Sequence, residues 1–352
     1  MVCLHFSFCL NFIFVIFFLT NILSFCYRKG KAQDLDIIEH VGEKPCFPFK
    51  PEKAENILFS LGKARFSDLK IGRLGVSSGR RSYTFQGSLA KLSHVISRWT
   101  MRELITKYNF TPVVIPNLIR SDIIRACGFE PHGLRSQVYS LKNSPDTCLA
   151  GTAEMPLASL HLGETFSSQD ELPKKYCALS RCYRAEAKSA GEMSGLYRVH
   201  YFDKVEMFAL TEDGKSGEMF QEFTNIQRNL FSSLGLYFRI IDMPPFELGA
   251  PAYRKFDMEA LMPGRNDFWG EISSASDCTD YQSKRLNITY KEYSYNQQQE
   301  IIGVCEKFVN TVNGTACAIP RIIISIVEQN QTKDGKIRLP KILQSEMESE
   351  YL

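Results

Sequence analysis

Hydrophobic and polar residues alternate in the stretch at residues 197–208, which reads YRVHYFDKVEMF. Successive side chains of an extended strand point to opposite faces of a sheet, so this alternation predicts a strand with two unlike faces. The predicted polar face consists of Arg198, His200, Phe202, Lys204 and Glu206. The opposite face consists of Val199, Tyr201, Val205 and Met207, together with Asp203. This pattern places a charged surface in front of an apolar one.

A second extended run, CYRAE at residues 182–186, precedes this strand. The polar, glycine-containing stretch AKSAGEMSGL separates the two runs and predicts a β-hairpin with a long loop. Cys182, Arg184 and Glu186 would then share one face. Arginines bind phosphate oxygens, a ring stacks on a base, and a carboxylate holds an ammonium group, which together suit a nucleotide and an amino acid. A solvated strand face with cross-strand ion pairs explains the hairpin equally well.

Apolar residues recur at helical spacing between Leu89 and Tyr108, which predicts an amphipathic helix. The residues that carry this spacing are Leu89, Leu92, Val95, Ile96, Trp99 and Leu104. Further helices are predicted at residues 55–61 and 216–234, and the run LYFRIIDM predicts a strand. The β-rich run FTPVVIPNLI contains Pro116, which favours an edge strand or a strand at an interface.

Two short polar motifs are candidate ligand sites. Thr152 and Glu154 point the same way if the chain is extended there, and a helix is predicted to start after them at Pro156. The run GEISSAS at residues 270–276 places a carboxylate before hydroxyl groups, the hard oxygen ligands that Mg²⁺ prefers. Either motif alone is common in loops, so each needs support from the rest of the chain.

The run VNGTACAIPRIIISIVE at residues 312–328 combines an extended segment with a helix. Asn313 and Thr315 lie on one side of the extended part, and Pro320 starts the predicted helix. Arg321 then falls in the first turn, where a cation opposes the helix dipole but is well placed to meet a phosphate. This local conflict points to a functional role.

Composition narrows the class of protein. The chain has 352 residues, enough for one large domain with appendages or for two domains. A net charge of +3 excludes a strongly basic nucleic-acid coat but not a local basic patch. The eleven cysteines form no pair of CxxC motifs, so we predict neither a zinc site nor a disulfide framework. We expect a reducing or matrix-like compartment, with most cysteines in the core.

Residues 1–27 form a separate apolar segment without a charged residue, followed by Arg28, Lys29 and Lys31. The segment is long enough to span a bilayer, so membrane contact by residues 2–27 is one interpretation. A mis-assigned start is the other, and the sequence leaves both open. Residues 28–79 are interpreted as a linker or truncated amino-terminal region, and residues 80–352 as the catalytic domain described next.

The motifs GTAEM, CYRAE, LYRVHYFDKVEMF, ELGAPAYRKFDME, GEISSAS and NGTACAIPR follow one another in this order. In this order they resemble the catalytic domain of seryl-tRNA synthetases, a class II aminoacyl-tRNA synthetase family, across residues 80–344. The resemblance implies an α+β fold with an antiparallel β-sheet flanked by helices. The motif NGTACAIPR and the lead-in VGEKPCFPFKP look most like the animal mitochondrial form, which implies the mitochondrial matrix.

The resemblance also implies roles for individual residues. Arg184 and Arg321 are the implied catalytic residues, and Glu271 and Ser274 the implied Mg²⁺ ligands. The residues implied to bind ATP are Arg184, Ala185, Glu186, Arg198, Val199, Phe202, Glu271, Ile272, Ser273, Ser274 and Arg321. Those implied to bind serine are Thr152, Ala153, Glu154, Arg184, Glu206, Asn313 and Thr315. Strict alternation places Glu271 and Ser274 on opposite faces, so the family geometry requires a bulge or turn between them.

The implied chemistry is attack of the serine carboxylate on the α-phosphorus of ATP, which gives seryl-adenylate and pyrophosphate. The seryl group then passes to tRNA(Ser), and the resemblance implies a homodimer formed through the helix and strand around Pro116. The family also carries a long amino-terminal helical arm that grips the tRNA, and here its place holds only the apolar segment and the linker. We therefore expect this chain to form seryl-adenylate but to charge tRNA poorly.

Two alternatives remain from the sequence. One is an armless homologue that loads an activated amino acid onto a carrier protein, although those enzymes depend on a zinc site and no convincing ligand set appears here. The other is a non-catalytic paralogue that binds RNA or a synthetase partner, although such a protein is expected to lose motif residues. Residues 291–308 form a longer insertion than expected, and its role is not predicted.

Overall fold

The computed structural model of this chain describes residues 36–66, 77–131, 136–186 and 195–352. The apolar segment at residues 2–27 lies outside these ranges, as does most of the predicted hairpin loop. Within the described ranges, no helix is both long enough and apolar enough to cross a bilayer.

The described residues form the following helices and strands. The helices are α1 (Ala54–Ser60), α2 (Ser88–Tyr108), α3 (Ser121–Ala126), α4 (Glu154–Ala158), α5 (Ser216–Ser233), α6 (Tyr281–Leu286), α7 (Ile319–Gln329) and α8 (Lys341–Met347). The first eight strands are β1 (Asp36–Val41), β2 (Ala64–Phe66), β3 (Tyr83–Phe85), β4 (Thr111–Pro112), β5 (Leu118–Arg120), β6 (Tyr139–Leu141), β7 (Ser144–Leu149) and β8 (Thr165–Phe166). The others are β9 (Lys174–Tyr183), β10 (Tyr201–Thr211), β11 (Phe238–Asp242), β12 (Arg254–Met262), β13 (Phe268–Thr279), β14 (Thr289–Tyr295), β15 (Ile301–Phe308) and β16 (Asn310–Ala318).

One eight-stranded sheet organises the molecule, in the order β1-β11-β12-β13-β16-β10-β9-β4. Its neighbouring strands are antiparallel except for the edge pair β4 and β9, which is parallel. Helices α2, α5 and α7 pack against the sheet and enclose the main hydrophobic core with it. The expected antiparallel sheet flanked by helices is therefore confirmed.

The predicted hairpin consists of β9 and β10, which pair with Phe202 opposite Cys182, but β9 ends at Tyr183, so Arg184 and Glu186 lie beyond the strand. Val205 and Met207 belong to the main core, as the alternation predicts. Lys204 is also buried, but it lies among polar groups described below. The apolar face of β10 thus packs against the core, and its polar face lines a cavity.

The prediction for the start of β10 is wrong by several residues. The strand begins at Tyr201, so Arg198 and His200 lie in the connecting loop and not on the strand face. A 3-10 turn at Gly195–Tyr197 precedes them. The carbonyl of His200 accepts a hydrogen bond from the Arg184 N–H at 2.8 Å, which closes the loop where the strand pairing ends.

A β-bulge interrupts β13. The register between β12 and β13 shifts at Ile272, which is an extra residue on β13. Such a residue changes the alternation of side chains along a strand. Glu271 and Ser274 both line the same cavity as a result. The bulge that the family resemblance requires is therefore present.

Gln227 of α5 holds this bulge from the core side. Its side chain is fully buried, and its Nε2 donates to Ser273 Oγ at 2.9 Å, to Ser274 O at 2.8 Å and to Thr315 O at 3.0 Å. The backbone carbonyls at a bulge lack their regular strand partners, and a buried carbonyl without a partner is costly. One amide therefore stabilises the bulge of β13 and its contact with β16.

Other predicted elements differ in detail. The run around Pro116 forms only the short strands β4 and β5, with the proline between them, but β4 does lie at the sheet edge. Helix α4 begins at Glu154, two residues before the predicted start at Pro156. Helix α7 begins at Ile319 and contains Arg321 in its first turn, as predicted.

The sequence analysis assigned no firm role to residues 28–79 and 291–308, and the described parts of both regions contain regular secondary structure. Strand β1 pairs with β11 at one edge of the main sheet, and α1 packs against α7. The proposed boundary near residue 80 stays a prediction, but residues 36–66 share the core of the following domain. The insertion at residues 291–308 forms most of a β-hairpin, β14 with β15, which extends from β8.

Replacing Gln227 with alanine should lower the free energy of unfolding by about 2–4 kcal/mol, because the bulge loses its donor and a buried space remains. Urea denaturation measures the change. Gln221, an exposed glutamine on the same helix, provides the matched control. Gln221→Ala should change the same quantity by no more than about 0.5 kcal/mol. Equal effects of the two substitutions would contradict the role of Gln227.

Candidate active site

The polar side of the sheet contains a cavity of about 410 Å³. Strands β10, β12, β13 and β16, the start of α7 and the loop before α4 all contribute to its lining. The sequence-predicted site residues that line it are Thr152, Glu154, Arg184, Glu186, Arg198, Val199, Phe202, Glu206, Glu271, Ile272, Ser273, Ser274, Asn313, Thr315 and Arg321. Residues more than 160 positions apart in the chain therefore meet in one place.

Lys204 is the central cation of one part of this cavity. The residue is 5% exposed, and its ammonium group forms an ion pair with Glu206, which is 2% exposed. The ammonium group also donates to Thr152 Oγ1 at 2.8 Å and to Thr315 Oγ1 at 3.3 Å. Three predicted serine-binding residues thus already surround an ammonium group that belongs to the protein.

Glu154 lies beside this cluster and is held by two side-chain amides. Its Oε1 accepts from Gln282 Nε2 at 2.6 Å and from Asn313 Nδ2 at 3.0 Å. Burial and the nearby charge of Glu206 raise the pKa of Glu154 to about 7, against the opposing effect of Lys204. Near neutral pH this carboxyl group therefore changes between its neutral and charged forms.

Two arginines near the hairpin loop are held by unlike partners. The Arg184 guanidinium lies 5.2 Å from the centre of the Phe202 ring, and its Nε donates to Gly151 O at 3.3 Å. Arg198 Nη1 pairs with Glu186 Oε2 at 2.8 Å. Glu186 adopts a positive φ of 39°, which a residue other than glycine rarely adopts. Strained backbone of this kind is concentrated at functional sites.

Arg321 is fixed by the turn at Gly195–Tyr197 and by β13. Its guanidinium lies 4.4 Å from the centre of the Tyr197 ring and donates from Nη1 to Glu271 O at 2.9 Å. The Nη1 atom also lies 3.2 Å from Glu271 Oε2. Tyr197 in turn donates from its hydroxyl to Glu271 O at 3.3 Å. The arginine predicted from its helix position is therefore held at the cavity by aromatic and carbonyl groups.

The oxygen groups of β12 and β13 are suited to a hard divalent cation. Burial alone would raise the pKa of Glu271, but Arg321, Lys255 and Arg184 outweigh it and hold this pKa below its ordinary value. Asp257 lies opposite Ser274, and burial together with Glu271 raises the pKa of Asp257 to about 7. An ionised carboxylate beside a hydroxyl group is a donor set that Mg²⁺ accepts along with water and phosphate oxygens.

The described residues contain no cluster of three or more histidine, cysteine or acidic side chains arranged to hold a metal ion. A Mg²⁺ site on Glu271 and Ser274 would need oxygen ligands from outside the protein, and the phosphates of a nucleotide can supply them.

Four of the predicted site residues have aliphatic side chains. Ala153 is fully buried, and the Ala185 N–H donates to Gln137 O at 2.8 Å. Ile272 and Val199 belong to the hydrophobic core. Contacts from these positions to a nucleotide would have to come from the main chain.

The hydroxyl group of Ser273 is also engaged within the protein. It donates to Thr315 O and accepts from Gln227. This serine therefore helps to join β13 to β16.

The sequence interpretation assigned no role to two residues on the predicted polar face. His200 lies in the loop, where its Nδ1 is 2.9 Å from both the Tyr139 hydroxyl and Arg184 O. Lys204 instead forms the buried cluster at the cavity. Lys255, from the ELGAPAYRKFDME motif, also lines the cavity and pairs with Asp257 at 2.7 Å. The alternation placed Lys204 on the polar face, but nothing in the sequence singled out Lys255. Lys204 is buried and Lys255 is partly buried, which distinguishes both from surface lysines.

Comparison with known proteins agrees with this geometry. Residues 139–330 match the tRNA synthetase class II core domain (G, H, P, S and T). The mitochondrial serine–tRNA ligase of Mus musculus is 41% identical over 319 residues, which cover 90% of this chain and 58% of that protein. The serine–tRNA ligase of Treponema denticola is 38% identical over 318 residues, which cover 90% of this chain and 71% of that protein. The chain thus spans less than two thirds of the mouse relative.

The three-dimensional fold is also similar to a known structure. The seryl-tRNA synthetase from Pyrococcus horikoshii complexed with ATP superimposes with a TM-score of 0.81 and 29% sequence identity. The match covers 91% of this chain and 72% of that protein. The expected class II synthetase fold is confirmed.

Replacing Lys204 with methionine should lower the free energy of unfolding by about 3–5 kcal/mol, because Glu206 would lose its buried cationic partner. Chemical denaturation at pH 8 measures the loss. Lys284→Met is the matched control, since Lys284 pairs with Asp280 on an exposed helix surface. The control should change stability by about 1 kcal/mol or less. A Lys204 variant as stable as the control would contradict the buried ion pair.

Proposed function

We propose that this chain, which belongs to the serine–tRNA ligase family of class II aminoacyl-tRNA synthetases, activates L-serine with ATP and transfers the seryl group to tRNA(Ser). One observation carries most of this proposal. A single cavity is lined both by arginines suited to phosphate and by the buried carboxylates and hydroxyls suited to a small amino acid. Neither carrier-protein loading nor a non-catalytic binding role has comparable support among the named relatives.

The proposed first step needs positioning and charge neutralisation more than a protein nucleophile. A serine carboxylate oxygen forms a bond to the α-phosphorus of ATP. The bond from that phosphorus to the bridging oxygen breaks, and pyrophosphate leaves with the electron pair. Negative charge develops on the phosphate oxygens during this exchange, and fixed cations at a water-poor site stabilise it.

The proposed nucleotide roles are those that the family resemblance implies. Arg184 is proposed to bind the α-phosphate and the serine carboxylate, while Arg198 and Arg321 bind the γ-phosphate. Phe202 is proposed to stack on adenine, with Glu186 on the adenine edge. The contact of Arg184 with Phe202 and the pair of Arg198 with Glu186 hold these side chains at the cavity before ATP arrives. Such preorganisation lowers the cost of binding.

The serine pocket is proposed to form around Thr152, Glu154, Glu206, Asn313 and Thr315. The carboxylates attract the ammonium group of serine, and the hydroxyl and amide groups bind its side-chain hydroxyl. A buried site built to hydrogen-bond a hydroxyl rejects an analogue that lacks one by about 10⁴-fold or more. This supports discrimination against alanine without a separate editing site.

Mg²⁺ is proposed to bind between Glu271, Ser274 and the phosphates of ATP. When bound, it would supply positive charge to the phosphate oxygens. The lowered pKa of Glu271 keeps this carboxylate ionised for that contact.

In the proposed second step, the terminal ribose hydroxyl of tRNA(Ser) forms an ester with the seryl carbon. The bond from that carbon to the AMP oxygen breaks, AMP leaves with the electron pair, and the hydroxyl proton is released to water. The mitochondrial matrix is the proposed location, which the mouse mitochondrial relative supports.

A homodimer is proposed through the α2 and β4 region. Val114 in that region is 100% exposed, and Leu118 is half exposed. Apolar side chains of this size are costly to leave in water, and burial against a second copy would remove that cost.

ATP–pyrophosphate exchange tests the first step. The full chain should catalyse exchange that depends on serine, and Glu206→Gln should reduce kcat/KM for serine at least about 100-fold, since it removes a charged hydrogen bond in a buried site. Glu218→Gln, which changes an exposed carboxylate on α5, is the matched control and should leave exchange unchanged. Exchange that does not respond to serine would overturn the proposed function.

The KM for serine should depend on pH because the pKa of Glu154 is about 7. Below this pH the carboxyl group is neutral, and above it the negative charge attracts the serine ammonium group. KM should therefore fall about tenfold between pH 6 and pH 8 at saturating ATP. In Glu154→Gln this dependence should disappear. A serine KM that is constant across this range in the unmodified chain would show that Glu154 does not contact the amino acid.

A further inference from the structure

A second buried charge cluster lies beside the nucleotide end of the site. It consists of Glu55 from α1, Arg265 from the turn after β12 and Glu328 from α7, each less than 10% exposed. Arg265 pairs with Glu55 and, at 3.3 Å, with Glu328. Glu328 also accepts the N–H groups of Ala54 at 3.1 Å and Gly264 at 2.9 Å. The cluster therefore joins α1, α7 and the β12–β13 turn.

Glu55 also reaches the turn that contacts Arg321. Its Oε1 accepts the N–H of Leu196 at 2.8 Å, a contact between residues 141 positions apart. Gly195 has a φ of +75°, and a Cβ at that position would lie 2.6 Å from Glu55 Oε1. Only glycine allows the turn to approach the carboxylate this closely. The start of the 3-10 turn is thus fixed by a buried charge-assisted hydrogen bond.

Tyr197, the residue after Leu196, contacts Arg321 at the phosphate end of the cavity. Tyr197 O accepts from Arg321 Nε at 3.4 Å, and the Tyr197 ring lies under the guanidinium. Gly270 makes room for that ring, since a Cβ there would lie 2.9 Å from Tyr197 Cε2. Leu196 is bonded directly to Tyr197, so a displaced Leu196 would move the ring away from Arg321.

We propose that Glu55 is a positioning residue for ATP binding, which holds the Gly195–Tyr197 turn in the place where Tyr197 orients Arg321. This inference rests on the proposed function for the identity of the nucleotide. Glu55 does not line the cavity, so we expect it to contact neither substrate directly. Its loss should therefore weaken ATP binding and leave serine binding unchanged, because the serine pocket is built on other elements.

Two substitutions at Glu55 separate positioning from stability. Glu55→Gln removes the charge but keeps an oxygen that accepts from Leu196 and Arg265. Glu55→Ala removes the acceptor as well. Glu55→Ala should raise the Kd for ATP, measured by calorimetry on the full chain, about tenfold. It should raise the KM for ATP in pyrophosphate exchange by a similar factor, with the serine KM within about twofold of the unmodified chain. In Glu55→Gln, the Kd and the KM for ATP should both lie within about threefold of the values for the unmodified chain.

A variant on the turn itself provides an independent probe. Gly195→Ala should reproduce the ATP defect, because the added methyl group displaces the Glu55 carboxylate. Gly214 has a similar φ of +78° with no neighbour near its Cβ position, so Gly214→Ala is the matched control for backbone strain. The control should leave the Kd for ATP unchanged. Glu328→Gln alters the same cluster without touching Leu196, and it too should leave ATP binding unchanged.

An ATP Kd that stays normal in both Glu55→Ala and Gly195→Ala would overturn the proposal. A rise in the KM for serine equal to the rise in the KM for ATP would also overturn it. So would a Kd for ATP that rises as much in Glu328→Gln as in Glu55→Ala, because either result indicates general destabilisation. The Kd for ATP does not require serine activation. Failure of the proposed function, seen as exchange without serine dependence in the unmodified chain, is therefore distinguishable from failure of this inference. A chain that binds no ATP would overturn both.

Discussion

The buried ammonium group of Lys204 is the charge on which one half of the site depends. Removing Glu206 from water costs several kcal/mol, and only a close cation with further hydrogen bonds offsets that cost. Lys204 meets this need and also bonds Thr152 and Thr315, so it joins β10, β16 and the loop before α4. The carboxylates are thus held apart from solvent in fixed positions. The charge of Glu206 is therefore already balanced inside the protein, and the proposed substrate ammonium group would have to share Glu206 with Lys204.

A second constraint comes from the backbone. A regular strand has a side-chain period of two, which would point Glu271 and Ser274 to opposite faces of β13. The extra residue at Ile272 changes this, but it leaves carbonyl groups without strand partners inside a packed core. The amide of Gln227 satisfies the carbonyl of Ser274 and also donates to the carbonyl of Thr315 on β16. The positions of Glu271 and Ser274 at the cavity therefore depend on a helix residue that packs on the core side of β13.

The sequence predicted those features that local periodicity controls. Alternation along β10 correctly placed Phe202 and Glu206 on the cavity side and Val205 in the core. The strand prediction failed at Arg198 and His200, which lie in the loop because strand pairing stops at Tyr201, although Arg198 still lines the cavity. Alternation also could not distinguish a buried lysine from an exposed one. Burial depends on what packs above a residue, and that is decided by distant segments.

Contacts between distant segments also explain why composition did not predict the structure of the amino-terminal part of the chain. The proline-rich stretch before residue 61 has the composition of a linker, yet it carries Glu55. A buried carboxylate is costly unless a cation lies beside it, and Arg265 is the cation beside Glu55. Helix α1 is therefore held against the turn after β12. Because Glu55 also accepts a hydrogen bond from Leu196, the same buried charges fix the position of α1 and the Gly195–Tyr197 turn. Any movement of α1 relative to the sheet would therefore act first on the turn that holds Tyr197 against Arg321.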